Sequence, residues 1–253
     1  MHNAAYDALS LNYCYVPFPV SPDDLEVAIH AVRALHMRGL NITIPHKEMV
    51  IRYLDEIDAG ATFIGAVNTV VNSEGRLTGH NTDGNGFMQS LVDCGIDVKD
   101  KKVLLIGAGG AARAVGYSLI QTVKSVSLLG RTKERVQKLV NDLNRLESKA
   151  DLYEEVTGLE GYYMIINATP LGLKDDDPLP IDVSLLRTGQ VVYDLVYRKT
   201  RLLQEASGRG CIAVDGLGML LWQGVLAFEF WTGIKPDVSV MRTALQRAVN
   251  AVR

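Results

Sequence analysis

The 253-residue sequence predicts an α/β protein built around a doubly wound parallel sheet, and two observations indicate this. Short apolar runs alternate with helical or loop stretches, as the buried strands of a parallel sheet do. The first run is followed at once by a glycine-rich turn and then by the helix-forming stretch Ala111–Gln121. The predicted strands are Val103–Ile106, Ser125–Leu129, Met164–Asn167, Val191–Leu195 and Cys211–Val214.

A separate mixture of strands and helices is predicted ahead of this sheet. Ser21 can cap a helix whose first turn holds Pro22, and Gly39 can end that helix. The turn at 73–75 joins two short strands into a hairpin. In chain order, the other predicted elements are the strand Tyr15–Phe18, the strand Leu40–Ile44, the short helix Lys47–Leu54, and the hairpin strands Ala66–Asn72 and Arg76–Gly79.

The end of the chain is predicted to be helical and to return to the first domain. Met219–Trp231 is apolar, and Pro236–Val252 begins another helix. We therefore expect a first domain at 1–84, a sheet domain at 85–218 and returning helices at 219–253. One amphipathic helix is also predicted between the second and third sheet strands, because apolar residues repeat there at helical spacing: Val136, Leu139, Val140, Leu143 and Leu146.

Composition excludes several classes of protein. A net charge of −3 and a pI near 6.0 argue against a nucleic-acid or membrane-surface role. No apolar run is long enough to span a bilayer, and no signal peptide opens the chain. The three cysteines are far apart, which is typical of reduced thiols in a cytoplasmic protein. The five histidines form no ligand pair, so we expect no metal.

The glycine-rich turn after the first sheet strand has the spacing of a dinucleotide site. Gly107 can make the tight turn, Gly109 lets the backbone approach a pyrophosphate, and Ala112 allows close packing of helix on strand. The following helix N-terminus offers unpaired N–H groups to the phosphates. The alternative interpretation is a tight turn of any α/β protein. The strand before it and the helix after it favour a Rossmann-type dinucleotide domain.

The end of the second sheet strand indicates which dinucleotide is bound. An NAD site usually has an acidic residue there, which binds the ribose 2′-hydroxyl. This chain instead has Gly130-Arg131-Thr132, with Lys133 and Arg135 just beyond. Basic and hydroxyl groups suit a 2′-phosphate, so the sequence predicts NADP; the alternative is an ordinary solvated helix start.

Four polar stretches outside the nucleotide domain are hard to explain as folding devices. They are Asn41–Lys47, Gly65–Thr69, Gly79–Gly84 and the segment Trp222-Gln223-Gly224 within an apolar helix. Taken singly, each has a plain interpretation: Asp83 can cap a helix, and Lys47 can be solvated. Their combination favours a binding site.

In combination, these stretches resemble the shikimate dehydrogenase family over nearly the full length of the chain. The matching motifs are M-H-N-A-A at 1–5, N-I-T-I-P-H-K at 41–47, G-A-V-N-T at 65–69, N-T-D-G at 81–84, G-A-G-G-A-A-R-A at 107–114, the Arg131-Thr132 loop, D-L-V-Y at 194–197, and D-G-L-G-M-L-L-W-Q-G at 215–224.

The resemblance implies reversible reduction of 3-dehydroshikimate to shikimate with NADPH, in the pathway to chorismate and the aromatic amino acids. The lysine that matches Lys47 is the family's catalytic acid/base, and the aspartate that matches Asp83 partners it. Hydride transfer to a ketone needs a proton as the alkoxide forms, and such a pair can supply it. By the same resemblance, Asp83 and four further residues bind the hydroxyl-rich ring: Thr43, Asn68, Tyr197 and Gln223.

The resemblance also assigns the domains and the cofactor residues. The first domain is the substrate-binding and catalytic domain, and the second binds NADP. The phosphates are held by Gly107, Ala108, Gly109, Gly110, Ala111, Gly130, Arg131, Thr132 and Arg135. The nicotinamide end is lined by Asn167, Thr169, Leu195, Gly216 and Met219.

The sequence departs from the family pattern at three points. Family members open with a strand and a Ser-x-Ser-Pro loop, whose serines bind the substrate carboxylate. Neither is present here. Either the natural protein extends upstream of Met1, which we expect, or it lacks that strand. The stretch from Tyr197 to Thr200 is shorter than usual, and Gly130 replaces the usual asparagine.

Two other functions stay open. One is a quinate/shikimate dehydrogenase that uses NAD, against which the basic loop at Arg131 argues. The other is a non-catalytic NADP-binding relative, which the missing serines favour and the retention of Lys47 with Asp83 opposes. In each case the ligand is a small molecule, and we expect a monomer or a homodimer.

Overall fold

A computed structural model describes residues 1–154 and 158–252, and within it the chain divides into two compact units. Unit 1 consists of Met1–Thr82 together with the segment from Leu221 onward, and unit 2 is Asp83–Leu220. The predicted boundaries, after residues 84 and 218, each differ from these by two residues. The assignment of substrate to one unit and cofactor to the other stays a prediction.

The front part of unit 1 contains a four-stranded sheet covered by short helices. The strands lie in the order β1-β3-β4-β2; β3 is antiparallel to both β1 and β4, whereas β2 is parallel to β4. Turns of 3₁₀ helix lie at Pro22–Asp24 and Met49–Tyr53. In chain order, the elements are α1 (His2–Ala8), α2 (Leu25–Ala34), β1 (Gly39–Asn41), β2 (Glu56–Ile57), α3 (Ala59–Ile64), β3 (Thr69–Ser73) and β4 (Arg76–His80).

Unit 2 is a six-stranded sheet in which every paired strand is parallel to its neighbour. The strand order is β10-β9-β8-β5-β6-β7, so the chain reverses direction across the sheet between β5 and β8. The elements are α4 (Asp83–Asp93), β5 (Lys102–Ile106), α5 (Gly110–Leu119), β6 (Ser125–Leu129), α6 (Lys133–Asn144), β7 (Ala150–Leu152), β8 (Met164–Asn167), β9 (Val191–Asp194), α7 (Arg201–Gly208) and β10 (Ile212–Val214).

The last two helices are α8 (Leu217–Thr232) and α9 (Val238–Val252), and α9 completes unit 1 together with the part of α8 from Leu221 onward. Phe228 and Met241 are fully buried against Ala5 and Tyr6 of α1. The Trp231 indole N–H donates to the Val70 carbonyl of β3 at 2.9 Å, which joins α8 to the sheet. The predicted return of the C-terminal helices to the first domain is therefore confirmed, and apolar burial is the main force that holds them there.

The predicted parallel sheet and the hairpin β3–β4 are confirmed, and the predicted strands differ by at most one residue from the observed β5, β6, β8, β9 and β10. Continuous apolar runs explain this success, because the strands are buried on both faces. The amphipathic helix is α6, but it ends at Asn144, and Leu146 beyond it is 40% exposed. Among the helices and strands of the described residues, α1, α3, α7, β2 and β7 escaped prediction.

The prediction of a strand at Tyr15–Phe18 was wrong. The backbone N–H and carbonyl of Tyr15 are bound by the side-chain amide of Asn3, at 2.7 and 2.9 Å, and not by a neighbouring strand. The side chain of Asn3, on α1, therefore takes the place of the neighbouring strand that the apolar pattern suggested.

Several boundaries in the front part also differ from prediction. The hairpin strand predicted from Ala66 begins at Thr69. The helix α2 ends at Ala34, and Gly39 begins β1 instead of ending the helix. The strand predicted to reach Ile44 ends at Asn41, since the chain turns beyond it and the His46 N–H donates to the Thr43 carbonyl at 2.9 Å. The predicted helix from Lys47 is instead a 3₁₀ helix at Met49–Tyr53.

No helix in the part of the chain that the structure describes is both long and apolar enough to cross a membrane. Within the same residues, no group of three or more His, Cys, Asp or Glu side chains could hold a metal ion.

His2 is the one buried side chain, among the described residues, with a polar atom that lacks a hydrogen-bond partner. The atom is Nδ1, and the ring lies 4.5 Å from Tyr15 and 5.3 Å from Trp231 between centroids. Burial, followed by the positive charge of the chain terminus, lowers the pKa of His2 from 6.5 to about 4. An apolar aromatic site therefore holds a neutral imidazole.

This burial predicts a specific loss of stability in acid. Between pH 6.5 and about 4 the unfolded His2 binds a proton that the folded one does not, so the free energy of unfolding falls as the pH is lowered through this window. The full effect is about 3 kcal/mol. In urea unfolding, the free energy of unfolding should fall less between pH 7 and pH 5 for His2→Phe than for the wild type. An equal fall in both proteins would contradict the assignment of a neutral, buried imidazole to His2.

Candidate active site

A buried hydrogen-bond network lies where β4 of unit 1 ends. The Asn68 side-chain oxygen accepts from the Thr82 N–H at 2.9 Å and from the Thr69 hydroxyl at 3.0 Å, while its amide N–H donates to the Thr82 hydroxyl at 3.0 Å. All three residues are at least 98% buried. The amide of Asn68 is thereby held in one orientation, because its oxygen and nitrogen have different partners.

The segment that contains Thr43 and Lys47 is held beside this network by backbone bonds. The Ile42 N–H donates to the Asn68 carbonyl, and the Val67 N–H donates to the Lys47 carbonyl, both at 2.8 Å. Thr43 is exposed and Lys47 is partly buried. Unit 1 therefore brings together three predicted site residues at one end of its sheet.

Gln223 of α8 joins the same network through its backbone. Its carbonyl accepts from the Thr82 hydroxyl at 3.1 Å. A glutamine within an apolar helix is thereby placed next to the end of β4, with its side chain partly buried. The hydroxyl of Thr82 thus contacts both Asn68 and Gln223, and sequence reasoning did not single it out.

Asp83 is the first residue of α4 in unit 2 and directly follows Thr82 in the chain. Its exposed fraction is 8%. As the acidic residue of the first helical turn, it complements the positive end of the helix dipole.

The glycine turn between β5 and α5 has the geometry that its spacing predicts. Gly107 has φ +119°, a conformation that residues with a Cβ rarely adopt, and an added Cβ would lie 2.8 Å from the Ala168 carbonyl oxygen. Gly109 directly precedes the helix, and a Cβ there would meet nothing within 4 Å. Open space at Gly109 therefore lies beside Gly110 and Ala111 at the start of α5, and Ala108 completes the turn; the phosphate contacts assigned to these four residues stay a prediction.

The turn between β6 and α6 exposes the basic and hydroxyl side chains singled out for a 2′-phosphate. Arg131, Thr132 and Arg135 are all exposed, and Thr132 precedes the helix without a capping bond from its hydroxyl. An added Cβ at Gly130 would lie 2.8 Å from Val136 Cγ2, so a larger residue at this position would require Val136 to shift.

Asn167, at the end of β8, is fully buried, and its side chain is engaged in the protein. Its oxygen accepts from the Thr169 hydroxyl at 2.7 Å and from the Thr169 N–H at 3.1 Å. Its amide nitrogen donates to Asp194 and to the Leu171 carbonyl, both at 3.0 Å. The side chain thus organises the loop after β8. Asp194 is a second site residue that sequence reasoning did not identify.

The remaining residues of the predicted nicotinamide end follow β9 and begin α8. The Leu195 N–H donates to the Asn167 carbonyl at 3.0 Å, and the Gly216 N–H donates to the Val196 carbonyl at 3.1 Å. Met219 is buried, whereas Tyr197 is 53% exposed. Within unit 2, the carboxyl ends of β5, β6, β8 and β9 thus carry the predicted cofactor residues along one edge of the sheet.

The Asn68 network predicts a stability difference between two similar variants. Thr82→Val removes the hydroxyl but keeps the shape, leaving buried polar groups without a partner, and should lower the free energy of unfolding of unit 1 by about 1–3 kcal/mol. Thr82→Ser keeps the hydroxyl and should lose less. Both tryptophans, Trp222 and Trp231, lie in unit 1, so their fluorescence in urea reports its unfolding. Equal stability of the two variants would contradict the network.

Comparison with known families gives three matches along the chain. Residues 1–70 match the shikimate dehydrogenase substrate binding domain. Residues 89–171 match the shikimate/quinate 5-dehydrogenase family, and residues 216–246 match the C-terminal domain of shikimate 5′-dehydrogenase.

Individual relatives agree with these matches. A protein of Carboxydothermus hydrogenoformans named shikimate dehydrogenase (NADP(+)) is 42% identical over 97% of this chain and 90% of its own length. The crystal structure of shikimate 5-dehydrogenase from Thermus thermophilus, in complex with NADP(H) and shikimate, has a TM-score of 0.89 at 38% identity, covering 98% of this chain and 92% of its own. Quinate dehydrogenase from Corynebacterium glutamicum, in complex with NAD, has a TM-score of 0.88 at 34% identity, covering 97% and 92%. The chain belongs to the shikimate dehydrogenase family.

Proposed function

We propose that this protein is an NADP-dependent oxidoreductase that catalyses the reversible reduction of 3-dehydroshikimate to shikimate. The observation that carries the proposal is that unit 1 gathers a lysine, a fixed amide and a hydroxyl at one end of its sheet, in a chain 42% identical to an NADP-dependent shikimate dehydrogenase. A hydroxyl-rich ring needs several such partners, since unmet buried polar groups are costly.

The residues of unit 2 fit NADP. Open space at Gly109 would admit a pyrophosphate beside the first N–H groups of α5. The exposed Arg131 guanidinium and Thr132 hydroxyl would hold the 2′-phosphate, with Arg135 adding positive charge. No carboxylate occupies this turn, although a carboxylate is what an NAD site uses for the ribose.

Bound NADPH would supply the hydride that reduces the ketone. As negative charge develops on the ketone oxygen, the Lys47 ammonium would donate a proton to it, giving the alcohol; in the reverse direction the neutral amine would take the proton back. By the family resemblance, Asp83 would be the partner that orients Lys47 for this proton transfer. Thr43, Asn68, Tyr197 and Gln223 would bind the remaining polar groups of the ring, and Thr82 would keep the Asn68 amide correctly oriented.

The expected ligands are thus small molecules only, bound by a monomer or a homodimer, without nucleic-acid or membrane partners. A cytoplasmic location stays a prediction from the cysteines.

Replacement of Lys47 tests the catalytic assignment. Lys47→Ala should lower kcat for shikimate oxidation about 10²–10⁴-fold, because that is what general acid–base catalysis typically contributes. Binding of NADP, measured by titration, should stay within twofold. Lys99→Ala, at an exposed lysine of unit 2, is the matched control and should keep wild-type turnover. Unchanged turnover in Lys47→Ala would refute the role; a wild type that binds NADP without turnover would favour the non-catalytic alternative.

A quinate/shikimate dehydrogenase that uses NAD is the second candidate, because the NAD-bound quinate dehydrogenase of Corynebacterium glutamicum is 34% identical. Arg131→Ala separates the two. Loss of a charge-assisted bond to the 2′-phosphate should raise KM for NADP about tenfold and leave KM for NAD unchanged.

The matched control for this test is Arg247→Ala, at an exposed arginine of α9, which should change neither constant. A wild type that turns over faster with NAD than with NADP would favour the second candidate instead.

A further inference from the structure

We propose that Asp194 is a positioning residue, whose buried carboxylate sets the two loops that carry the nicotinamide-side and tyrosine contacts. The inference rests on the proposed function, for which the family resemblance places Thr169 and Leu195 at the nicotinamide end and Tyr197 at the substrate. Asp194 itself is fully buried and touches neither ligand in the proposal.

Three donors converge on the Asp194 carboxylate from two different loops. One oxygen accepts from the Asn167 amide at 3.0 Å and from the Val196 N–H at 3.2 Å. The other accepts from the Thr200 hydroxyl at 2.6 Å. Every partner is a donor, which is the pattern that suits an ionised carboxylate. No lysine or arginine of the described residues lies within salt-bridge distance of it, so these neutral donors alone offset its burial.

The chemistry of this network leaves no alternative orientation for the Asn167 amide. Its oxygen already accepts twice from Thr169, so its nitrogen must face Asp194. The Thr169 hydroxyl oxygen in turn accepts from the Leu171 N–H at 3.2 Å, which fixes the turn of the chain after Thr169. The conformation of residues 167–171 therefore depends on an acceptor at position 194.

The second loop depends on the same carboxylate through Thr200. This residue is 97% buried, accepts from the Leu203 N–H at 3.4 Å at the start of α7, and donates to Asp194. The loops also touch each other, because Gly172 leaves room for the Thr200 methyl: an added Cβ would lie 3.0 Å from Thr200 Cγ2. The segment 195–200, which includes Tyr197, is thus held at both ends by Asp194.

Burial raises the pKa of Asp194, although the bonds from Thr200, Val196 and Asn167 oppose this by favouring the charged form. A carboxylate under opposing influences of this kind is sensitive to the loss of any one donor. Removing the Thr200 hydroxyl should therefore disturb both loops, although Thr200 lies three residues beyond Tyr197 in the chain.

Two variants of Thr200 form the test. Thr200→Val keeps the shape and removes the donor, and Thr200→Ser keeps the donor. We expect Thr200→Val to lower kcat for shikimate oxidation at least tenfold, and Thr200→Ser to stay within about threefold of wild type. Affinity for 2′,5′-ADP, which carries only the adenosine half of NADP, should be unchanged in both, because the hydrogen bonds of the Asp194 carboxylate go to Asn167, Val196 and Thr200 and not to the turn at 107–111 or that at 130–135.

If Thr200 only stabilised the fold in general, its replacement by valine would not lower kcat while leaving the affinity for 2′,5′-ADP unchanged. If Thr200→Val weakened 2′,5′-ADP binding as much as it lowered turnover, or kept wild-type kcat, the positioning role would be refuted. If the wild type did not oxidise shikimate, the proposed function would fail on its own. The ratio of NADP to 2′,5′-ADP affinity would then still test the inference: a lower ratio in Thr200→Val supports it, and an unchanged ratio refutes it.

Discussion

The requirement that buried polar groups be hydrogen bonded determines the structure at the ends of the strands in both units. In unit 2 the parallel strands place their last residues at one edge, and in unit 1 the start of β3 lies beside the end of the antiparallel β4. Polar side chains at both places lose water as the loops cover them. In unit 1 the amide of Asn68 meets this requirement with Thr69 and Thr82. In unit 2 the amide of Asn167 meets it with Thr169 and Asp194. In each amide the oxygen and the nitrogen have different hydrogen-bond partners, so the amide has one orientation and holds the adjoining loop in place.

This constraint connects folding to the proposed chemistry. A site that binds a hydroxyl-rich ring must present donors and acceptors in fixed directions, because mobile groups would lose binding free energy on being ordered. Backbone bonds from Ile42 and Val67 fix the segment that carries Lys47, and the Thr82 hydroxyl fixes Asn68. The groups that touch the substrate in the proposal are therefore supported by groups that do not.

The parts predictable from sequence were those with strong local signals. The strands of unit 2 are continuous apolar runs, and the glycine turn has steric requirements that only glycine meets at Gly107. The motif residues of the site also followed from the sequence, through the family resemblance. The role of Asp194 did not, because a carboxylate at the end of an apolar strand looks like the first solvated residue. Its position level with Asn167 on the neighbouring strand was the available signal.

Prediction failed where the backbone found a hydrogen-bond partner that the local sequence pattern does not reveal. The apolar segment at Tyr15 has the pattern of a strand, but the Asn3 amide takes both of its backbone groups. The strand β7 has only three residues, which are too few to show a periodic pattern. Among the described residues it pairs with β6 at the edge of the sheet. Such elements are determined by contacts across the chain, and single-sequence patterns do not contain those contacts.

The central claim is that this chain transfers a hydride from NADPH to the ketone of 3-dehydroshikimate. Its most direct test uses cofactor carrying deuterium at the transferable position and measures the mass of the shikimate formed. The account predicts one deuterium in the product, on the carbon that bears the new hydroxyl, and a much slower formation of the same labelled product when Lys47 is replaced by alanine. Unlabelled shikimate, or no shikimate from the wild-type protein, would contradict it.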